Sequence, residues 1–275
     1  MGGFLAADAG AFRWDIFFLC VLTTISLQIL SNLANDYGDS IHGADNVDRR
    51  GPSRAVQSGA ITAAQMRRMI IFFTSLSLLI GLVLLFVAFG LQWDAILFFL
   101  ALGLLSIGAA VTYTMGRKPY GYLGLGDLSV LIFFGLTGVM GSYYLFTKTI
   151  SWRETLPAMS MGLLAVCVLN VNNIRDIESD RVAGKYSVPV RVGRHNAIIY
   201  HCALLMLIPI FTLVYTFLNF QSLWQLLFLL AIPLLVRNGL AVSRTPSEHL
   251  DPWLKQMAMS ALLFSLLFGV GLILR

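Results

Sequence analysis

Charge is scarce in this chain. Of its 275 residues 12% are charged and 57% hydrophobic, and the mean hydropathy is +0.78. Soluble domains carry roughly 25% charged residues, so an ordinary soluble domain is excluded. The three cysteines (Cys20, Cys167, Cys202) fall inside apolar runs, with the spacing of neither a metal site nor a disulfide framework. The four histidines (His42, His195, His201, His249) are scattered. No Walker loop, nucleophile elbow or His-Glu zinc motif occurs, and Gly124-Leu-Gly126 is too short for a dinucleotide fingerprint. The first residues lack a basic region and Asp8 falls early, so no cleavable signal is expected.

What is present is a series of apolar runs of spanning length. They predict helices near Trp14–Leu33, Met69–Leu91, Ala95–Met115, Leu128–Phe146, Leu156–Val171, Ala197–Leu218, Leu223–Val242 and Met257–Leu274. The expected fold is therefore all-α: a polytopic membrane bundle of about eight transmembrane helices, one domain over 1–275, with a short N-terminal segment at 1–13. Gly103, Gly108, Gly135, Gly138, Gly141 and Gly162 are placed to let helices approach closely. Alternating the loops puts fifteen of the 19 Lys and Arg residues on one side. The positive-inside rule makes that side cytoplasmic. The location of these charges thus matters more than their net sum of +5, and no nucleic-acid partner is expected.

Two polar stretches lie on that same side. The first, Asn32-Leu-Ala-Asn35-Asp36-Tyr-Gly-Asp39, continues through Gly43-Ala-Asp45 to Arg49, Arg50 and Arg54. The second runs from Asn170 through Asn172, Asp176 and Asp180 to Gly184-Lys185. Helical spacing places Asn32, Asp36 and Asp39 on one face, and Asn172, Asp176 and Asp180 on another. Like charges one turn apart repel, and near lipid they demand a positive partner. Hard oxygen donors on two helix ends suit Mg²⁺, which fills its shell with water and phosphate. The two stretches share a four-residue beat and stand about half a chain apart, which suggests two four-helix halves that each present one polar tip. These tips are expected to meet around a metal-bound diphosphate.

Other residues keep two readings open. Arg49, Arg50, Arg54, Arg117, Lys118, Lys185, Arg191 and Arg194 serve either as cytoplasmic anchors or as phosphate ligands. Asp127 either caps the span that follows or joins the site. Tyr113, Tyr120 and Tyr122 fit an interfacial belt, with a ring face toward a cation as the second reading.

On these motifs, together with Ser58-Gly59 and Tyr113 through Asp127, the chain resembles the UbiA superfamily of intramembrane prenyltransferases. Within it, the chain is similar to the branch acting on 1,4-dihydroxy-2-naphthoate. Two departures stand out. Gly43 occupies a position where the superfamily usually has an acid, a variant typical of the naphthoate branch. The family pattern has nine spans, and the first, bearing an Arg-Pro signature, has no counterpart here.

The resemblance implies Mg²⁺-dependent transfer of a polyprenyl group from polyprenyl diphosphate to 1,4-dihydroxy-2-naphthoate, with decarboxylation, at the cytoplasmic side of a bacterial inner membrane. It implies Asp39, Asp176, Asp180 and Tyr113 as catalytic residues. Metal ligands would come from Asn35, Asp36, Asp39, Asp45, Asn172, Asp176 and Asp180. Diphosphate contacts would come from Asn32, Asn35, Arg54, Arg117, Lys118, Asn172 and Lys185. Alternatives are a sister enzyme using another aromatic acceptor such as 4-hydroxybenzoate, a CDP-alcohol phosphotransferase, and a transporter. A phosphotransferase would carry its acids in one contiguous motif, and a transporter would break its helices near the midplane.

Overall fold

The computed structural model describes residues 1–42, 56 and 59–274. Asp45, Arg49, Arg50 and Arg54 fall outside the described residues, as do Gly43 and Ser58. A short helix α1 (Gly2–Asp8) precedes α2 (Trp14–Ile41), α3 (Ala63–Phe89) and α4 (Trp93–Thr112). Then follow α5 (Gly126–Thr147) and α6 (Trp152–Arg175), the short α7 (Ile177–Val182), α8 (Val188–Leu218), α9 (Leu223–Arg244) and α10 (Asp251–Ile273). No strand occurs among the described residues. All but α1 and α7 are long and apolar enough to cross a membrane, which gives the eight expected spans.

The helices overrun the apolar runs that announce them. α2 has 28 residues, about 42 Å at 1.5 Å per residue, against a hydrocarbon core of about 30 Å. Its last two turns therefore carry Asn35 to Asp39 beyond the expected stop at Leu33. His42 closes the helix with its ring, Nδ1 lying 2.9 Å from the Gly38 carbonyl and Nε2 3.0 Å from that of Gly116. α3 begins six residues before Met69 because Thr62 and Gln65 form a reciprocal cap, with Gln65 Oε1 accepting from Thr62 N at 2.9 Å.

The chain divides into two compact units, not into four helices each. One comprises Arg13–Gly126 and Glu178–Ser187, and so holds α2, α3 and α4; the other comprises Met1–Phe12, Asp127–Ile177 and Val188–Arg275, with the remaining five spans. α5 goes with the second because it packs on α6. There Gly135 and Gly162 lie back to back: a Cβ on Gly135 would stand 2.8 Å from the Gly162 Cα and 2.7 Å from the Ala158 carbonyl. The α5 backbone widens to a π-helix over Leu131–Gly141 through this contact. The expectation for the other glycines is only partly met, since a Cβ on Gly103 or Gly108 would meet nothing within 4 Å.

In the three-helix unit Leu30, Met66 and Ile70 form a core against Leu33, Tyr37, Ile107 and Met115. In the five-span unit Phe228 packs on Phe264 and Phe268, with centroids 5.4 and 5.7 Å apart. A polar chain ties α8, α9 and α10 together. Asn238 Nδ2 donates to the Trp253 carbonyl at 2.9 Å and to Gln256 Oε1 at 2.5 Å. Its oxygen is thus the acceptor, and the buried His201 donates to it from Nε2 at 3.0 Å. In lipid such interhelical bonds replace the hydrophobic drive that holds soluble bundles together. His201 is accordingly a packing residue.

Candidate active site

The three-helix unit gathers Asp39, Asp180, Lys185 and Tyr122. Asp39, on the last full turn of α2, is 2% exposed. Tyr122 donates to its Oδ1 at 3.0 Å. Lys185 Nζ lies 3.8 Å from Asp39 Oδ2 and 3.4 Å from Asp180 Oδ1. The same ammonium sits 5.9 Å from the centroid of the Tyr122 ring. All four groups are buried. Two carboxylates thus share one ammonium, and the trio keeps a net negative charge.

Local backbone chemistry delivers these groups. After α7 the chain turns through Gly184 at φ +70°. Lys185 N donates to the Asp180 carbonyl at 2.8 Å and Gly184 N to that of Arg181 at 3.2 Å. These are the two bonds of a Schellman motif, which needs a left-handed residue at the glycine position. The turn folds Lys185 back over Asp180, and Tyr186 N then bonds the Tyr122 carbonyl at 3.0 Å. On the other flank, a Cβ at Gly38 would collide with Thr114, standing 2.6 Å from its carbonyl carbon. Thr114 Oγ1 donates to the Ala34 carbonyl at 3.0 Å and to Asn35 Oδ1 at 3.3 Å. This close approach seats the stretch that carries Tyr122 against α2.

The five-span unit gathers a different set around Arg175, the last residue of α6. Its Nε donates to Asp176 Oδ1 at 2.8 Å and its Nη2 to Asp176 Oδ2 at 2.6 Å. Nη2 also reaches Asn172 Oδ1 at 2.9 Å, and Nη1 reaches Asp251 Oδ1 at 2.6 Å. Arg175 and Asp176 are 4% and 5% exposed. The apolar residues Val171, Ile174, Ile177 and Leu250 close over this end of α6.

Several expected site residues fall differently from their periodicity. Asn172, Asp176 and Asp180 do not share one helix face, because α6 stops at Arg175 and Asp176 is its cap residue at φ −96°, ψ 12°. Asp180 rides on the separate α7, whose first turn is acidic, as the helix dipole favours. Asn32 is exposed, and its side-chain oxygen accepts from Gln28 one turn back at 3.4 Å. Asp36 is half-buried, and Arg117 and Lys118 are exposed. Tyr113 packs edge-on against Tyr120, centroids 5.4 Å apart. The tyrosine on an acid is Tyr122, for which the sequence offers an interfacial belt or a ring face toward a cation, and the Lys185 ammonium lies by its ring. Asp127 is no cap: it is buried inside the first turn of α5, beside Tyr200. Arg194 bonds the Thr245 carbonyl at 2.6 Å and the Val242 carbonyl at 3.2 Å, closing the C-terminus of α9.

Among the described residues no three carboxylate, imidazole or thiol groups converge as a ready metal cage. Mg²⁺ does not require one, since it retains waters and takes phosphate oxygens. Asp39 and Asp180 present hard oxygens around a point already held by a cation, and that donor set fits it.

Among the described residues eight helices are long and apolar enough to cross a membrane, and acids are buried at the ends of α2 and α6 and on α7, which marks an integral membrane protein. The chain belongs to the UbiA prenyltransferase family, whose model matches residues 1–262. It is 47% identical over 270 residues to the 1,4-dihydroxy-2-naphthoate octaprenyltransferase of Haemophilus influenzae, covering 98% of this chain and 87% of that protein. Its identity to the Escherichia coli protein of the same name is also 47%, over 275 residues, covering 100% and 89%. In three dimensions it is similar to a digeranylgeranylglyceryl phosphate synthase structure, with a TM-score of 0.62 at 19% identity, covering 100% of this chain and 91% of that one. That likeness concerns the fold.

Proposed function

We propose that this protein transfers a polyprenyl group from polyprenyl diphosphate to 1,4-dihydroxy-2-naphthoate, with loss of the ring carboxylate as CO₂, to give demethylmenaquinol, the reduced form of demethylmenaquinone. The observation that carries the reading is the buried Asp39–Lys185–Asp180 cluster, where acids 141 positions apart share one cation. The names of the relatives at 47% identity select the acceptor.

In this reading Asp39 and Asp180 would hold Mg²⁺ with Asn35, Asp36 and Asp45, and Asn172 and Asp176 would serve as further metal ligands. When bound, the ion neutralises the diphosphate and makes it a better leaving group. Lys185 exchanges its carboxylate partners for phosphate oxygens, and Arg54, Arg117, Lys118 and Asn32 supply further contacts to the diphosphate. Tyr122 holds Asp39 in one orientation through its hydroxyl. The allylic C–O bond breaks with both electrons leaving on the diphosphate. The electron-rich ring then attacks, and departure of CO₂ restores its aromaticity. Surroundings free of bulk water protect the allylic cation from hydrolysis, and Tyr113 offers a ring face to it. The charge asymmetry of the loops supports a cytoplasmic site in a bacterial inner membrane.

The test is mass spectrometry of the lipid formed by purified protein from dihydroxynaphthoate, a mixture of prenyl diphosphates and Mg²⁺, with 4-hydroxybenzoate as competing acceptor. A decarboxylated prenyl-naphthoquinol is expected, and none from Asp39→Ala or Asp176→Ala proteins that still insert. Prenylated hydroxybenzoate as the main product would refute the acceptor assignment. Near-normal turnover by both variants at limiting Mg²⁺ would refute the site.

A further inference from the structure

Asp251 opens α10 in a turn segment that bears no motif, 76 positions from Arg175, yet it accepts from Arg175 Nη1 at 2.6 Å. Its own side chain is 37% exposed, whereas that of Arg175 is 3% exposed. The segment before it is fixed. Arg194 binds the Thr245 carbonyl and also Ser247 Oγ, at 3.2 Å, and Leu250 is fully buried. Asp251 therefore approaches Arg175 from a rigid platform.

The guanidinium has one rigid set of donors and three acceptor groups around it. With Nη1 held by Asp251, the Nε–Nη2 edge faces Asp176 as a two-pronged fork and the second Nη2 proton reaches Asn172. Planarity makes these orientations interdependent, as they would not be for a lysine. Charge follows the same logic. Arg175, Asp176 and Asp251 together carry one net negative charge; without Asp251 the arginine cancels Asp176 completely.

From this we infer that Asp251 is a positioning residue of the prenyl-transfer site: acting through Arg175, it orients Asp176 and Asn172 and keeps Asp176 electronegative enough to serve a divalent cation. The inference rests on the reading that Asp176 helps hold the metal-bound diphosphate. Partners behind a metal ligand commonly change metal affinity by roughly 10–100-fold when removed. Asp251 acts at one further remove, so the lower end of that range is expected.

The experiment is Mn²⁺ titration, read by electron paramagnetic resonance, of the purified full chain in detergent with inorganic diphosphate present. Thermal unfolding is recorded alongside, and the KM for prenyl diphosphate is compared with kcat. Asp251→Asn should weaken Mn²⁺ binding about tenfold and raise KM more than it lowers kcat, at an unchanged unfolding midpoint. Asp251→Glu should restore both, and Asp251→Ser provides a second neutral variant should the amide misfold. Unchanged Mn²⁺ affinity and KM in Asp251→Asn overturn the inference. So does a binding loss that tracks a fall in unfolding midpoint and is not restored by glutamate. If Asp176→Asn itself binds Mn²⁺ like the wild type, it is the underlying assignment of Asp176 that fails.

Discussion

Tyr122 and Asp39, 83 positions apart, share a hydrogen bond of 3.0 Å in which the phenol donates to a carboxylate that is almost wholly buried. A bond from a neutral donor to a charged acceptor contributes roughly 1.5–3 kcal/mol. Tyr122→Phe keeps the ring beside Lys185 and removes only the donor. It should lower prenyl transfer about tenfold, as about 1.4 kcal/mol of lost positioning would, with normal amounts of protein in the membrane. Radiolabelled prenyl incorporation, normalised to protein, measures this.

Lys185 is a counter-charge to two buried acids, and removing one partner of a buried ion pair costs about 3–5 kcal/mol. Lys185→Met should therefore lower the unfolding midpoint in detergent containing a chelator. Added Mg²⁺ should recover more of that midpoint in the variant than it adds to the wild type, because a divalent ion can take the ammonium's place between the carboxylates. Equal Mg²⁺ responses in the two proteins would contradict this.

Gly184 stands at φ +70°, and a Cβ there would meet nothing within 4 Å, so substitution carries a conformational cost and no steric one. For Gly184→Ala that cost is about 1–2 kcal/mol, and Gly184→Asn, which tolerates the left-handed region, should lose less. Since the turn aims Lys185, both variants should shift transfer activity in the order Gly, Asn, Ala. Activity assays on the three proteins check the ranking.

Gly135 and Gly162 predict the opposite behaviour. Their backbones touch, so a side chain must push α5 and α6 apart, at about 1–3 kcal/mol for overpacking. Gly135→Leu should lower the thermal midpoint, whereas Gly103→Leu, facing open space, should leave it unchanged.

The spans are legible in the sequence because apolar run length is a direct consequence of bilayer thickness. Their ends are not: Thr62 with Gln65 starts α3 and His42 ends α2 through contacts that hydropathy does not register. Asp39 and Asp180 can be picked out as acids close to an apolar run. The hydroxyl of Tyr122 on Asp39 and the carboxylate of Asp251 on Arg175 cannot, because each acts on a partner more than seventy positions away. The periodic Asn172–Asp176–Asp180 pattern even misleads, since a repeat of four is compatible with a continuous helix and also with one that stops at Asp176 and restarts. Side-chain periodicity carries no record of a helix end at Asp176, whose carboxylate accepts from Arg175.

Asp180 and Lys185 lie in Glu178–Ser187, the stretch that packs with α2, α3 and α4 although α5 and α6 precede it in the chain. During synthesis the three early helices can enter the bilayer long before their missing acid and lysine have left the ribosome. Until then Asp39 waits in the membrane without its ammonium. Completion of the first unit is thereby tied to the synthesis of α5 and α6, and a polypeptide ending at Gly126 would hold one half of an ion cluster that it has no means to finish.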